Sequence, residues 1–597
     1  MIYENYDPYF PDQPVVDQYL PIWANLPAFR AKPAFIWAES GSSDVTKSSI
    51  LTYEQLNNSV QSISSQLLLP PFQRGDTVVI LCSPGLELVE VIFGCQRSGL
   101  LAVPIFPPKL SFTENDCHHL VRVLTQTKPK AAIAHSDYIT HVRTYISSKS
   151  STDNQLCKLL QNIHWISTNE LKDKKMSTGL SLSTYNGCKQ DEVYLIQYTS
   201  GATGVPKPVL VTSGAAAHNV RVARKAYELH PNSVITSWLP QYHDCGLTFL
   251  LLTIVSGATT VLTSPSAFIS RPRLWLELIT EFKATCTPVP SFTLPLVVKR
   301  GGIDKGNIPI NLQSMENLII INEPIYKGLV DEFVQEFRSF GLNPFSISPS
   351  YGLAENCTFV STAWRSGSNV NQFPIYKHLL PSARLDASSR GEKEDIEIVI
   401  VNGETCEPVV DGVEGEIWIS SASNCSGYLG QPSQTRKIFQ GRLKNKASQC
   451  FVRTGDRGVV KGEERFLFVT GRSSDVIELE ESCLAAFKVA ERTIAVVAEM
   501  QRSEEKIGVL RTLGKNIRKA VKKEENVEVG MVVIVKSGNV PKTTSGKIQR
   551  WLAKDKLLGG KMNVVLQMTF KDNESEGNTR GQVIKENTIH PPFVSSL

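Results

Sequence analysis

The chain has 597 residues, 41 % hydrophobic and 20 % charged, an ordinary globular composition on a chain too long for one hydrophobic core. Its 63 Lys and Arg against 58 Asp and Glu leave a net charge of +5, too weak and too dispersed to mark a nucleic-acid binder. The twelve cysteines include no CxxC pair, so a disulfide framework is excluded and a reducing compartment is expected.

In chain order, the N-terminal MIYENYDPYFPDQP has no basic start followed by an apolar stretch, so no signal peptide is expected. Residues 53–69 have helical spacing. Residues 76–82 (DTVVILC) are β-rich and lie between Gly75 and Ser83-Pro84-Gly85. Residues 86–98 are helical in pattern, and 100–106 (LLAVPIF) read as a second buried strand that Pro107-Pro108 ends. Cys117-His118-His119 has no second ligand pair near it and is read as ordinary packing. Such β–α–β alternation predicts a mostly parallel sheet covered on both faces. The same rhythm returns over 193–350 in YLIQYT, VITSWL, TTVLT, ATCTPV and NLIIIN. Residues 247–262 are the most apolar run, but Ser256, Gly257 and several threonines interrupt it, short of the ~20 residues of a membrane helix, so no integral membrane segment is expected.

From about residue 395 the texture changes. IEIVIV (396–401), GEIWIS (415–420) and FLFVT (466–470) are short strands between Gly-containing turns, which predicts an antiparallel or barrel-like subdomain. After Gly471-Arg472 comes a smaller α/β unit with strands TIAVVAEM (493–500) and GMVVIV (530–535). Within it Arg518, Lys519, Lys522 and Lys523 meet Glu524 and Glu525, the pattern of a solvated helix face. Residues 571–597 are polar and patternless and read as a disordered tail.

The chemistry concentrates in Tyr198-Thr-Ser-Gly-Ala-Thr-Gly-Val-Pro-Lys207, directly after a strand-like run. Gly201 and Gly204 let the backbone turn tightly and aim N–H groups at phosphate oxygens. Thr199, Ser200 and Thr203 add hydroxyl donors, and Lys207 adds positive charge. A plain surface loop needs neither three hydroxyls nor a terminal lysine at this spacing. The Walker form G-x-x-x-x-G-K-[ST] is absent, so a P-loop kinase or GTPase is not expected.

This segment resembles the phosphate loop of the acyl-adenylate-forming superfamily, and further segments match in that family's order. Ser237-Trp-Leu-Pro-Gln-Tyr-His-Asp-Cys-Gly-Leu247 and Ser264-Pro-Ser-Ala-Phe-Ile-Ser-Arg-Pro-Arg-Leu-Trp275 are similar to the fatty acyl-AMP ligase branch. Asn322-Glu323-Pro324 resembles the adenine-side segment, and Ser350-Tyr-Gly-Leu-Ala-Glu355 the YGLAE motif. Arg453-Thr-Gly-Asp456 and Thr470-Gly-Arg472 match ribose-binding elements, and Pro541-Lys-Thr-Thr-Ser-Gly-Lys-Ile-Gln-Arg550 matches the C-terminal catalytic loop.

The resemblance implies ATP and Mg²⁺ as cofactors and assigns roles. Glu355, with Thr203, would hold Mg²⁺. Thr199, Ser200, Gly201, Thr203, Gly204 and Lys207 would cradle phosphate. Asn322 and Glu323 would sit beside the adenine and Tyr351 would stack on it. Asp456 would take both ribose hydroxyls with help from Arg472. Trp238 and His243 would line the acyl pocket, and Lys547 would bridge the carboxylate and the α-phosphate, a task suited to a flexible point charge. The reaction joins two anions, so screening of charge and in-line geometry are what the protein must supply.

The chain departs from the pattern at Pro208 and Ser213, where relatives carry Gly and His, and at Ser474 in the hinge. More seriously, residues 478–482 run almost directly into 483–487, so a few tens of residues of the small domain are missing near 480. The fold expected is α/β: a large N-terminal domain over 1–471 with two mostly parallel covered sheets and a small β-barrel-like subdomain over about 395–471. A hinge at 472–475, a small mobile C-terminal α/β domain at 476–570 and the tail complete the chain. The function implied is fatty-acid activation to an acyl-AMP with release of pyrophosphate, then transfer to the phosphopantetheine thiol of an acyl carrier protein. Two alternatives stay open: CoA as acceptor, and a non-catalytic adenylate-binding module if the short C-terminal domain cannot deliver Lys547. The expected location is cytoplasmic; Ser595-Ser596-Leu597 resembles a degenerate peroxisomal ending and supplies the alternative.

Overall fold

Aliphatic runs of four to eight residues, bounded by Gly and Pro, become strands whose two faces meet different helices. The computed structural model describes residues 12–40, 46–112, 114–148, 155–173, 187–199, 205–301, 309–321, 324–365, 367–385, 396–472, 484–490, 493–500, 507–525, 528–536, 538–542, 548–570 and 581–582. The chain divides into two compact units, 1–198 with 208–470, and 199–207 with 471–597.

In the larger unit, one sheet has the spatial order Gly427–Tyr428, Pro208–Thr212, Val193–Tyr198, Leu101–Pro104, Thr77–Leu81, Ala131–Ala134 and His164–Ser167 among the described residues. Its last five strands pair in parallel, and its first three are joined antiparallel. The strand Thr77–Leu81 shows why the fold is layered. Val78 and Ile80 enter the core shared with helices Tyr53–Leu67 and Leu86–Ser98, whereas Val79 and Leu81 enter a second core with Leu120, Val123 and Val142. The helix Tyr53–Leu67 starts where Thr52 and Gln55 close a reciprocal capping box.

The second sheet runs Thr358–Thr362, Ile347–Leu353, Asn317–Ile321, Cys286–Pro290, Val234–Ser237, Thr259–Leu262, Pro33–Ser40 and Thr46–Thr52. The six central strands are parallel and each edge strand is antiparallel to its neighbour. The apolar run at 247–262 resolves into the buried helix Asp244–Ser256, a left-handed Gly257 at φ 65°, and the strand Thr259–Leu262. Among the described residues no helix is long and apolar enough to cross a membrane. A third sheet has the order Ala383–Arg384, Phe466–Arg472, Lys446–Lys461, Gly415–Ser420, Glu397–Asn402 and Glu407–Pro408, with Gly441–Leu443 also on the long strand. Its pairs around Gly415–Ser420 are antiparallel, as its short Gly-bounded strands suggest.

The smaller unit has a sheet of Leu484–Ala490, Thr493–Glu499, Val529–Val535, Val564–Thr569 and Gly581–Gln582. Among the described residues only the pair Thr493–Glu499 with Val529–Val535 is parallel. Val496, Val532 and Ile534 pack on helix Ile507–Glu525, and Val497, Val533 and Val535 pack on the other face with Ala553 of helix Arg550–Leu558. The expected α/β architecture is therefore present, with mixed, mostly parallel sheets in the large part and a smaller C-terminal sheet. Residues 473–483, which hold most of the expected hinge and the shortening near 480, lie outside the described residues. Of the expected tail only Gly581–Gln582 is described, and it pairs with Gln567 and Met568.

Two features carry tests. Asp17, fully buried, takes a forked pair of bonds from Arg97 at 2.7 and 3.0 Å, and Arg97 also reaches Asn57 Oδ1 at 3.0 Å. Asp17→Ala leaves a buried guanidinium uncompensated and is expected to cost roughly 3–5 kcal/mol, read from denaturant midpoints. Replacing both partners with apolar residues should cost less; equal costs would mean the charge is not what matters. Gly352 lies so close to its partner strand that a Cβ there would sit 2.3 Å from the Thr358 carbonyl oxygen. Gly352→Ala should destabilise the large unit by about 1–3 kcal/mol. A melting midpoint equal to wild type would show that the hairpin yields.

Candidate active site

The strands of an open parallel sheet all deliver their following loops to one edge, where ligands bind. Trp238 follows strand Val234–Ser237, residues 322 and 323 follow Asn317–Ile321, and Tyr351 belongs to Ile347–Leu353. Parallel pairing sets the carboxyl ends of these three strands, with Trp238 and Tyr351, at the same edge of the second sheet.

Glu355 sits on a constrained turn. After the single turn Ala354–Asn356, Cys357 and Thr358 take φ of 54° and 91°. A β-branched residue in that region is strained and persists only where its surroundings hold it. Here Asn219, fully buried on helix Ser213–Ala226, donates to the carbonyls of Asn356 and Phe359 at 2.7 and 2.8 Å and accepts from Phe359 N–H at 3.1 Å. Cys425 N–H donates to the Glu355 carbonyl at 3.0 Å, and Tyr428 O–H donates to Glu355 Oε1 at 2.6 Å. Tyr428 is itself set by strand pairing with Val209. The carboxylate is thus aimed with one oxygen engaged, and an all-oxygen donor of this kind suits a hard cation such as Mg²⁺. Cys357 and Cys425 face each other at 3.5 Å between sulfurs. Their mutual hydrogen bond, with burial, pushes the Cys357 thiol well above its usual range.

The two residues expected on the nucleoside are joined directly. Tyr351 O–H donates to Asp456 Oδ2 at 2.6 Å across 105 residues, and both are buried. Asp456 is positioned by its own loop: its N–H donates to Thr454 Oγ1 at 3.0 Å, and Thr454 donates to the Ile417 carbonyl at 2.7 Å. Gly455, at φ 72°, makes the bend.

Of the residues expected to line the acyl pocket, Trp238 stacks on Phe268 with centroids 3.8 Å apart and planes 2° from parallel. His243 Nδ1 contacts the Asp244 carboxylate, while His243 Nε2, Trp238 Nε1 and Gln197 Oε1 are buried without a hydrogen-bond partner among the described residues. Such orphaned atoms cost about 1–3 kcal/mol each, a cost removed when a ligand or water reaches them. Gly246 lets the preceding turn close onto its helix, since a Cβ there would lie 2.0 Å from the Pro240 carbonyl oxygen. The turn is tied to the first sheet by Gln241, which bonds both Gly85 N–H and Gly85 C=O, and by Gln197 Nε2 donating to the Tyr242 carbonyl. The consecutive residues His243, Asp244 and Cys245 bring three ligand atoms within 4.8 Å of one another. Cys117 and His119 instead pack in the first sheet's helical layer, where His119 meets Tyr198 edge-on at 5.2 Å. Burial, with Arg122 nearby, pushes the His119 pKa down to about 4.

The phosphate loop is described only at its base. Thr199 N–H donates to the Lys207 carbonyl at 3.0 Å and Lys207 N–H donates to Thr199 Oγ1 at 3.0 Å, closing the loop between two antiparallel strands. Ser200, Gly201, Thr203, Gly204, Asn322, Glu323 and Lys547 lie outside the described residues. Arg472 ends strand Phe466–Arg472 and is half-buried. Tyr428 and Asn219 escaped the sequence reading, because a lone Tyr and a helical Asn carry no spacing signal. Phe268 lay inside a quoted motif, but nothing in the sequence paired it with Trp238.

The family model described as AMP-binding enzyme matches residues 23–429. The medium-chain-fatty-acid acyl-carrier-protein ligase JamA of Moorena producens is 29 % identical over 577 residues, covering 89 % of this chain and 93 % of the relative. A long-chain-fatty-acid–AMP ligase of Mycobacterium bovis is 28 % identical, covering 87 % and 93 %. Among solved structures, a fatty acyl-adenylate ligase from L. pneumophila in complex with acyl adenylate and pyrophosphate superposes with a TM-score of 0.65 at 25 % identity, covering 93 % of this chain and 98 % of that one. Because the family model spans well over half of its length, this chain belongs to the AMP-binding enzyme family.

Proposed function

We propose that the protein activates a fatty acid with ATP and passes the acyl group to a carrier-protein thiol. The observation that carries the reading is the Tyr351–Asp456 hydrogen bond, which joins the adenine-stacking candidate to the ribose-binding candidate in one buried unit. In the first step the fatty carboxylate attacks the α-phosphorus of ATP. A carboxylate–phosphorus bond forms, the bond to the β-phosphate bridge breaks, and pyrophosphate leaves. In the second step a phosphopantetheine thiolate attacks the acyl carbon and AMP leaves with the electron pair.

The residues have separable tasks in this reading. Asp456 holds the ribose, and Tyr351 fixes Asp456 while presenting its ring to the base. His243 Nε2 and Trp238 Nε1 meet the carboxylate end of the acid, and the Trp238–Phe268 stack gives its chain an apolar wall. Glu355, aimed by Tyr428, would hold Mg²⁺ with Thr203, and a bound cation there would supply screening of the charge between the two anions. Lys207, Thr199, Ser200, Gly201 and Gly204 bind the phosphates, Asn322 and Glu323 flank the adenine, Arg472 assists at the ribose, and Lys547 bridges carboxylate and α-phosphate. The relatives named as fatty-acid–AMP and acyl-carrier-protein ligases support the substrate class and a carrier as acceptor. A reducing cytoplasm suits thiols that face each other unbonded, and it is our reading of the location.

Fatty-acid-dependent exchange of labelled pyrophosphate into ATP tests the first step and is expected to occur. Lys547→Ala should reduce it by roughly 10²–10³-fold while ATP binding persists. Undiminished exchange in that variant removes Lys547 from its role, and absent exchange in the wild type with AMP binding intact would make the protein a non-catalytic adenylate binder. Supplying the acyl-AMP with either holo-carrier protein or CoA separates the acceptors. Transfer to the carrier is expected, and efficient acyl-CoA formation would overturn that half of the proposal.

A further inference from the structure

The helix Ile507–Glu525 has two unlike faces. Leu510 and Val521 are buried, Ile517 packs beside them, and Gly514 lies tight against Met568, so the apolar face is consumed by the unit's own sheet. Turned the other way are Arg511, Lys515, Lys519 and Lys522, all exposed, with half-buried Arg518 beside them. Their spacing of three and four residues places these cations in one stripe along about three turns. Glu528 meets two of them: Arg518 at 3.5 Å, which also stacks over Phe570 at 4.4 Å, and Lys522.

The helix itself does not account for the stripe. The macrodipole favours cations only near the C-terminal turn, so it covers Lys522 but not Arg511 or Lys515. Glu528 offsets Arg518 and Lys522, but Lys515 with Lys519 is a like-charge pair four apart, which weakens a helix rather than supporting it. A local cost of this kind, kept on an exposed face, marks a surface that meets opposite charge. A lipid surface fits poorly, because the apolar side that would enter a bilayer is already packed on the sheet. We propose that this stripe docks a small acidic acyl carrier protein, the macromolecular acceptor of the second step. The inference rests on the functional reading above and adds the face by which the partner is held.

The test uses Lys515→Glu/Lys519→Glu in the full-length protein, with the charge-neutral Lys515→Gln/Lys519→Gln beside it. Three rates are read: pyrophosphate exchange, transfer to free pantetheine, and transfer to an acidic holo-acyl carrier protein. The reversal should raise KM for the carrier roughly tenfold and flatten its salt dependence, the neutral variant should fall between, and the first two rates should not change. Unchanged KM and salt slope overturn the inference. So does a wild type that makes acyl-AMP yet shows no saturable transfer to the acidic carrier. Lost binding to phosphatidylcholine vesicles carrying phosphatidylserine, with carrier KM unchanged, would reassign the stripe to membranes and also overturn it. If the wild type shows no exchange, the functional reading fails, and calorimetric titration with the carrier still decides the stripe: binding weakened by the reversal supports it, and equal binding overturns it.

Discussion

Asn219 commits both ends of its amide to one neighbouring turn. It is fully buried, and its three hydrogen bonds all go to the backbone of Asn356 and Phe359. Those bonds hold Cys357 and Thr358 in left-handed backbone conformations, and the strained turn fixes the direction of Glu355. Removing the amide would take the donor from the Asn356 carbonyl, leave the Phe359 carbonyl with the Asn356 side chain alone, and release the strain in the same place. The helix that carries Asn219 begins at Thr212, the last residue of the strand that leaves the phosphate loop. One side chain therefore couples the segment following Lys207 to Glu355, the carboxylate we propose for the metal.

The larger architecture serves the same end. Two sheets place their loops by strand direction alone, and short polar ties then set the details. Gln241 bridges to Gly85, Gln197 reaches Tyr242, and Tyr351 reaches Asp456. Each tie spans elements that the hydrophobic core has already brought near. The core brings the elements to within reach, and the hydrogen bonds fix the angle of the side chains.

Much of this was legible in the chain itself. Val193–Tyr198, Asn317–Ile321 and Gly415–Ser420 announce themselves as β-branched or alternating runs between Gly and Pro signals, and the helix Leu86–Ser98 was bounded by Gly85 and Gly99. The candidate site is drawn from ordered motifs, which name Glu355, Tyr351 and Asp456, and the fold brings Tyr351 and Asp456 into contact. What could not be read was the wiring between them. Tyr428 and Glu355 are 73 residues apart, and Asn219 and Asn356 are 137 apart, so no local period links them. Their pairing is decided by which strands lie side by side, a property of the tertiary fold. The apolar run ending in Leu262 was ambiguous for another reason: full burial erases the amphipathic signal, and only Gly257 marks where helix becomes strand.

The small sheet has a property that follows from its two-sided core. Along Thr493–Glu499 and Val529–Val535, odd and even positions are both aliphatic and both buried. In a half-exposed sheet, sliding a strand by one residue would turn its apolar side to water. Here the same slide exchanges one valine for another. Hydrophobicity therefore specifies that this strand pair forms, but it does not specify the alignment. The alignment is left to the connecting backbone and to differences in side-chain volume. A family that keeps such a sheet can lengthen or shorten the chain entering it and absorb the change as a shift of phase, with the packed layer intact.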